Sequence, residues 1–220
     1  MWTWIIEHSN FLGTLISAVL MVVWIIYLNL FLFGTRRSQR PMIMLSRGGG
    51  KGPDARLFIS NMGAEPIYIT ALIADCECKD TTSWALITKN DDISGDDVRS
   101  PEDATNEGPL GSGQYMDAGS FRSIMQRIAL NANNGLDIKE LERVTLTVVD
   151  ASGYGARIAA GRKSYTVIDY ENTRVFHPEH LSTEQLRGRK ESRRLTERLN
   201  KEIQAELDEN KAIEARDRST

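Results

Sequence analysis

The longest apolar stretch of the chain runs from Phe11 to Phe33, where only Gly13, Thr14, Ser17 and Asn29 interrupt it. A helix of that length reaches about 34 Å, enough to cross the hydrocarbon core of a bilayer. No formally charged residue lies from Ser9 to Thr35. The pattern therefore predicts a single transmembrane helix over 11–33. A cleaved leader would open on a basic stretch and close on a small-residue cleavage site. Here the chain opens Met1-Trp2-Thr3-Trp4 with Glu7, and the apolar run closes on Leu-Phe-Gly-Thr-Arg. Arg36, Arg37 and Arg40 follow the run, while only Glu7 and His8 precede it. Because cytoplasmic flanks carry the excess of Lys and Arg, residues 1–10 are predicted outside, and 34–41 form a basic juxtamembrane segment inside. The expected location is the cell inner membrane, single-pass, N-out and C-in. Gly13 and Ser17 are spaced as a small-x-x-x-small pair, which would let two spans approach closely.

Beyond the span, residues 42–176 read as a mainly β cytosolic domain. Apolar segments at Met42–Ser46, Ala55–Asn61, Ile67–Cys78, Trp84–Lys89, Val144–Asp150 and Lys163–Ile168 are separated by turn-rich sequence. Val144, Leu146 and Val148 alternate with threonines, the period of a strand with one buried face. The stretches Asn61–Pro66 and Ser152–Gly155 carry the Asn, Gly and Pro of hairpin connections. Phe121, Ile124, Met125 and Ile128 follow i, i+3, i+4, i+7, which predicts one short amphipathic helix over 120–132, packed on the strands. Six strands with a single helix suggest a β-sandwich.

From 182 to 217 the composition shifts to Arg, Lys, Glu, Leu and Ala, and Leu195, Leu199, Ile203 and Leu207 recur every fourth residue. This predicts a long charged helix whose narrow stripe drifts too fast for a strict heptad seam. Ser182 and Gln185 suit an N-cap and capping box, and Glu197 is placed to brace Lys201. Leu186–Lys201 holds seven basic and two acidic residues, net +5; Glu202–Asp217 holds two basic and six acidic, net -4. A positive N-terminal half opposes the helix macrodipole, so the layout points to an external partner. An antiparallel second copy would pair opposite halves and bury the leucine stripes, the membrane surface would attract only the basic half, and a solvated single helix braced by its own i,i+4 pairs is the third reading.

Overall charge adds an exclusion. The 220 residues carry 27 Lys+Arg against 30 Asp+Glu, net -3, so no global basic field exists to hold nucleic acid. Cys76 and Cys78 fall on one face of a predicted strand and are most simply core residues. Joined by His177 and His180 they would supply the ligand types of tetrahedral zinc, though not in a recognised spacing, and Pro178 intervenes. Arg47-Gly48-Gly49-Gly50-Lys51-Gly52 lacks the spacing of a phosphate loop, because Leu45 and Gly52 occupy its first Gly and its Ser/Thr, and it reads as a strand connection. The acidic stretch 91–107 holds seven acidic residues and Arg99, and 90–96 imitates half of an EF-hand loop. Pro101 replaces the bidentate Glu, so a solvated loop is the simpler reading. Only three histidines occur, and no Gly-x-Ser-x-Gly elbow. Neither catalytic residues nor a cofactor is expected, and an enzyme is unsupported.

The run Leu57–Ile69, with its Asn61-Met62-Gly63 turn, followed by Gly108-Pro109-Leu110-Gly111-Ser112-Gly113-Gln114, resembles immunoglobulin-like sandwiches of bacterial proteins. The resemblance covers a third of the chain and implies an interaction module. The acidic insertion before Gly108 and the helix after Gly119 depart from that pattern and leave strand order open. The whole layout is also similar to uncharacterised single-span bacterial membrane proteins, which implies no activity. The expected function is a membrane-anchored cytosolic binding or scaffold protein. It would assemble copies or partners at the bilayer through its β-sandwich and the Leu195, Leu199, Ile203, Leu207 stripe. The alternatives are a subunit of an oligomeric pore or membrane-disrupting effector, and a metal-dependent enzyme using Cys76, Cys78, His177 and His180.

Overall fold

The computed structural model describes residues 9–38, 40–79, 81–87, 106–131, 140–151, 158–170 and 173–217. Met1–Arg40 and Pro41–Thr220 form two separate units. The first is built on α1, Ser9–Ser38, which contains the apolar segment Gly13–Gly34, 22 residues long enough and apolar enough to cross a membrane. Two of its polar side chains turn back on their own helix: the Ser17 hydroxyl donates to the Gly13 carbonyl at 2.9 Å, and the Asn29 amide to that of Ile25 at 2.8 Å. This satisfies donors that hydrocarbon could not.

The second unit is mainly β. Its strands are β1 (Ile43–Gly48), β2 (Arg56–Asn61), β3 (Ile67–Cys78), β4 (Thr82–Leu86), β5 (Gly108–Leu110), β6 (Tyr115–Ser120), β7 (Leu141–Asp150), β8 (Ala159–Tyr170), β9 (Thr173–Pro178) and β10 (Glu184–Leu186). Among the described residues two helices accompany them, α2 (Phe121–Asn131) and α3 (Arg189–Asp217). β1, β2 and β6 form a small sheet. The larger sheet runs β10-β8-β7-β3-β4, with β5 on β3 and β9 on β8, and every pairing is antiparallel.

Burial explains the order of the strands. Leu45, Leu57, Ile59, Leu72, Val144, Leu146 and Tyr165 fill one core together with Phe121, Ile124 and Ile128 of α2. Phe121 stacks on Phe176 at 4.5 Å between ring centroids and meets Tyr165 edge-on at 5.0 Å. β3 is buried on both faces from Ala71 to Ala74, which is why its sequence there is apolar without alternation. A register shift between Ile69 and Ala71 switches its parity, so Ile67 and Ile69 face the same core as Leu72, Ala74 and Cys76.

Two sequence expectations are corrected. Asn61–Pro66 is not a hairpin: β2 pairs with β1 and β6, β3 with β4, β5 and β7, so the segment carries the chain from one sheet to the other. Buried Asn61 holds that link, donating to the carbonyls of Glu65 (2.8 Å) and Leu110 (3.0 Å) and accepting from Gly63 N-H (2.9 Å). Nor does a helix begin at Ser182. Glu184–Leu186 is strand β10, and α3 starts at Arg189. Gln185, expected in the capping box of Ser182, instead serves the edge of β1 together with Thr183. The Leu45 N-H donates to the Thr183 hydroxyl at 2.9 Å, the Ile43 N-H to Gln185 Oε1 at 3.1 Å, and Gln185 Nε2 donates to the Ile43 carbonyl. Lys163 Nζ adds bonds to the carbonyls of Leu45 (3.0 Å) and Leu181 (3.2 Å). Burial, and then Arg47, holds its pKa below the usual lysine value. Gly161 lets β8 come this close to β1, since a Cβ there would lie 2.9 Å from the Ile43 side chain.

Replacing Gln185 with leucine leaves the Ile43 N-H and C=O without these partners. The expected loss is about 1–3 kcal/mol of stability, measured by urea denaturation; an unchanged midpoint would contradict the clamp.

Candidate functional site

The apolar stripe of α3 falls into two parts, one packed on the domain and one exposed. Leu195 is buried and Leu199 half-buried, against a second core on the outer face of the large sheet. That core is formed by Ala71, Ile73, Val149, Ala160 and Leu186 and flanked by Trp84, Leu86 and Ile158. The Ser192 hydroxyl accepts the Ile158 N-H at 3.1 Å. Arg198 forms an ion pair with Asp75 and lies 4.3 Å from the centre of the Trp84 ring, which fixes the guanidinium by charge and ring quadrupole together. Leu195 and Leu199 are thus internal contacts, a correction to their expected role. Ile203 and Leu207, one and two turns further along the same stripe, are 52% and 46% exposed. Glu197 bonds Arg193 at 2.7 Å, one turn before the Lys201 expected for it.

Sequence reading missed this seat because it depends on Trp84 and Asp75, which lie far away in the chain. The signal available was the parity of β4: Ser83 and Ala85 are buried, leaving Trp84 on the opposite face.

Within α1, Gly13 and Ser17 lie one turn apart near its beginning, and Arg36 and Arg37 in its last turn; Arg40 follows, exposed. Cys76 is sealed in the first core and Cys78 is half-buried beside it, whereas His177 on β9 and His180 are exposed. Among the described residues no group of three or more His, Cys, Asp or Glu side chains is placed to hold a metal ion. Burial, then Cys78 and Asp75, pushes the Cys76 thiol up to about 12. Only about one part in ten thousand would be thiolate at pH 8. Iodoacetamide at that pH should leave Cys76 unlabelled in the folded protein, read by peptide mass spectrometry. Labelling of Cys76 at the unfolded rate would contradict its placement.

The Arg47–Gly52 stretch joins β1 to β2, and Gly49 and Gly50 adopt φ of 67° and 105°, a backbone that side chains resist. The glycines are there for the turn. The calcium-like residues 90–96 and most of the acidic stretch 91–107, like Ser152–Gly155, lie outside the described residues.

Comparison with family models, with curated proteins and with solved structures returned no match.

Proposed function

We propose that the chain is a membrane-tethered cytosolic binding and scaffold protein. α1 anchors it in the inner membrane, N-out and C-in, with Arg36, Arg37 and Arg40 on the cytosolic side. The two sheets act as an immunoglobulin-like interaction module, and the end of α3 joins copies or a partner at the bilayer. One observation carries this reading: the apolar stripe of α3 continues past its seat into exposed Ile203 and Leu207. A helix that served only to cover the sheet would turn polar after Leu199. The basic half at the seat and the acidic half beyond favour an antiparallel copy, since each half meets its opposite.

The test is the mass of the full chain in mild detergent. Assemblies larger than one copy are expected, falling to monomer in the Ile203→Glu, Leu207→Glu double variant and weakening in high salt. A wild-type monomer at tens of micromolar, with no co-purifying protein, would overturn the reading.

A further inference from the structure

The small sheet has an outer face that no part of the described chain covers. Inward positions of β1 and β2 are the core residues Ile43, Leu45, Leu57 and Ile59, so Met42, Met44, Phe58 and Met62 point the other way. Tyr115 of β6 joins them, packed edge-on against Phe58 with ring centroids 5.6 Å apart. Register makes these neighbours. The Met62 N-H bonds the Met42 carbonyl at 2.7 Å, and Met44, Ser60 and Tyr115 lie side by side across the three strands. Met42, Met44, Met62 and Tyr115 are 49%, 39%, 55% and 68% exposed.

Charge is absent from these two rows. It enters with the next row, where Asp117 lies across from Phe58 and pairs with Arg56 beyond it. The face is therefore graded, apolar where β1 begins and polar where β1 ends. The apolar end is also the end at which the chain arrives from α1. Seven residues lie between Gly34 and Met42, a leash of eight Cα steps that cannot exceed about 29 Å even fully extended. Cations flank the same end: Arg40 precedes β1, and Arg187 donates to the Pro41 carbonyl at 2.7 Å. Flexible methionines, a tyrosine with its polar tip, and nearby arginines are the residue types that settle into the headgroup region of an anionic leaflet.

We infer that the outer face of β1, β2 and β6, through Met42, Met44, Phe58, Met62 and Tyr115, docks on the lipid surface beside the anchor. This rests on the membrane-tethered reading above. Docking would hold the small sheet at the leaflet and leave the opposite side of the domain, with α3, free for partners.

The test uses the full chain in vesicles containing anionic lipid, with Cys78→Ser and a single new cysteine carrying a polarity-sensitive NBD dye. Sites are Tyr115→Cys and Met44→Cys on the face, Val22→Cys in the anchor and Tyr170→Cys as an exposed control. Bromine-labelled lipid should quench the face sites by about one third or more and the control hardly at all. Quenching at Val22→Cys with none at either face site overturns the docking and leaves the anchor standing. No quenching at any site overturns both. Protection of the face sites that disappears when protein is diluted in lipid would assign the face to a second copy and also overturn the proposal.

Discussion

A double substitution, Val22→Arg with Ile26→Arg, should move the protein out of the membrane fraction, whereas Val22→Arg alone should not. The arithmetic decides between them. Phe11 to Phe33 contains fifteen Leu, Ile, Val and Phe residues, each worth about -0.3 to -0.6 kcal/mol on an insertion scale, or roughly -4.5 to -9 kcal/mol together. One central arginine costs about 2.5–3.5 kcal/mol, which such a span absorbs. Two, one turn apart on the same face, cost about 5–7 kcal/mol and also remove two favourable residues. Ser17 and Asn29 already hide their donors against their own helix; a guanidinium has too many N-H groups to do so. After alkaline carbonate extraction the single variant should remain with the pellet and about half or more of the double variant should be released. Full retention of the double variant would show that α1 is held by something other than lipid.

Phe121→Ala should be the most destabilising substitution in the β domain. Its ring touches both Phe176 and Tyr165 in the centre of the first core, so truncation removes two aromatic contacts and opens a cavity that strands on two sheets cannot close. The expected cost is about 3–5 kcal/mol, a large share of the 5–15 kcal/mol typical of a domain. Urea denaturation of the detergent-solubilised chain should show the midpoint falling steeply, with Phe121→Leu losing far less. A drop of less than about 1 kcal/mol would contradict the packing of α2 on the sheets.

Local pattern carried much of this architecture. All six sequence-derived segments overlap a strand, Trp84–Lys89 only through Trp84–Leu86, because each has an unbroken face of apolar residues to bury. Phe121, Ile124, Met125 and Ile128, at helical spacing, are buried on α2. What stayed hidden was decided by distant parts of the chain. β5 and β10 are three residues each, too short for any periodicity, and depend on pairing with β3 and β8. Ser182, Thr183 and Gln185 have the composition of a helix start, yet Thr183 and Gln185 bond a strand edge some 140 residues earlier in the chain. The leucine stripe looked uniform, but Trp84 and Asp75 divide it into a seated half and an exposed half. The run Met42-Ile43-Met44-Leu45 signalled apolar residues on both faces of β1. Only the fold reveals that one of those faces has no cover among the described residues.

The central claim is that α1 spans the bilayer and leaves Pro41–Thr220 on the side of Arg36, Arg37 and Arg40. Protease digestion of a tag fused after Thr220, compared in intact spheroplasts and in inverted inner-membrane vesicles, tests it most directly. The tag should survive in spheroplasts and be cut in inverted vesicles. Digestion from outside intact spheroplasts, with survival in inverted vesicles, would contradict the account.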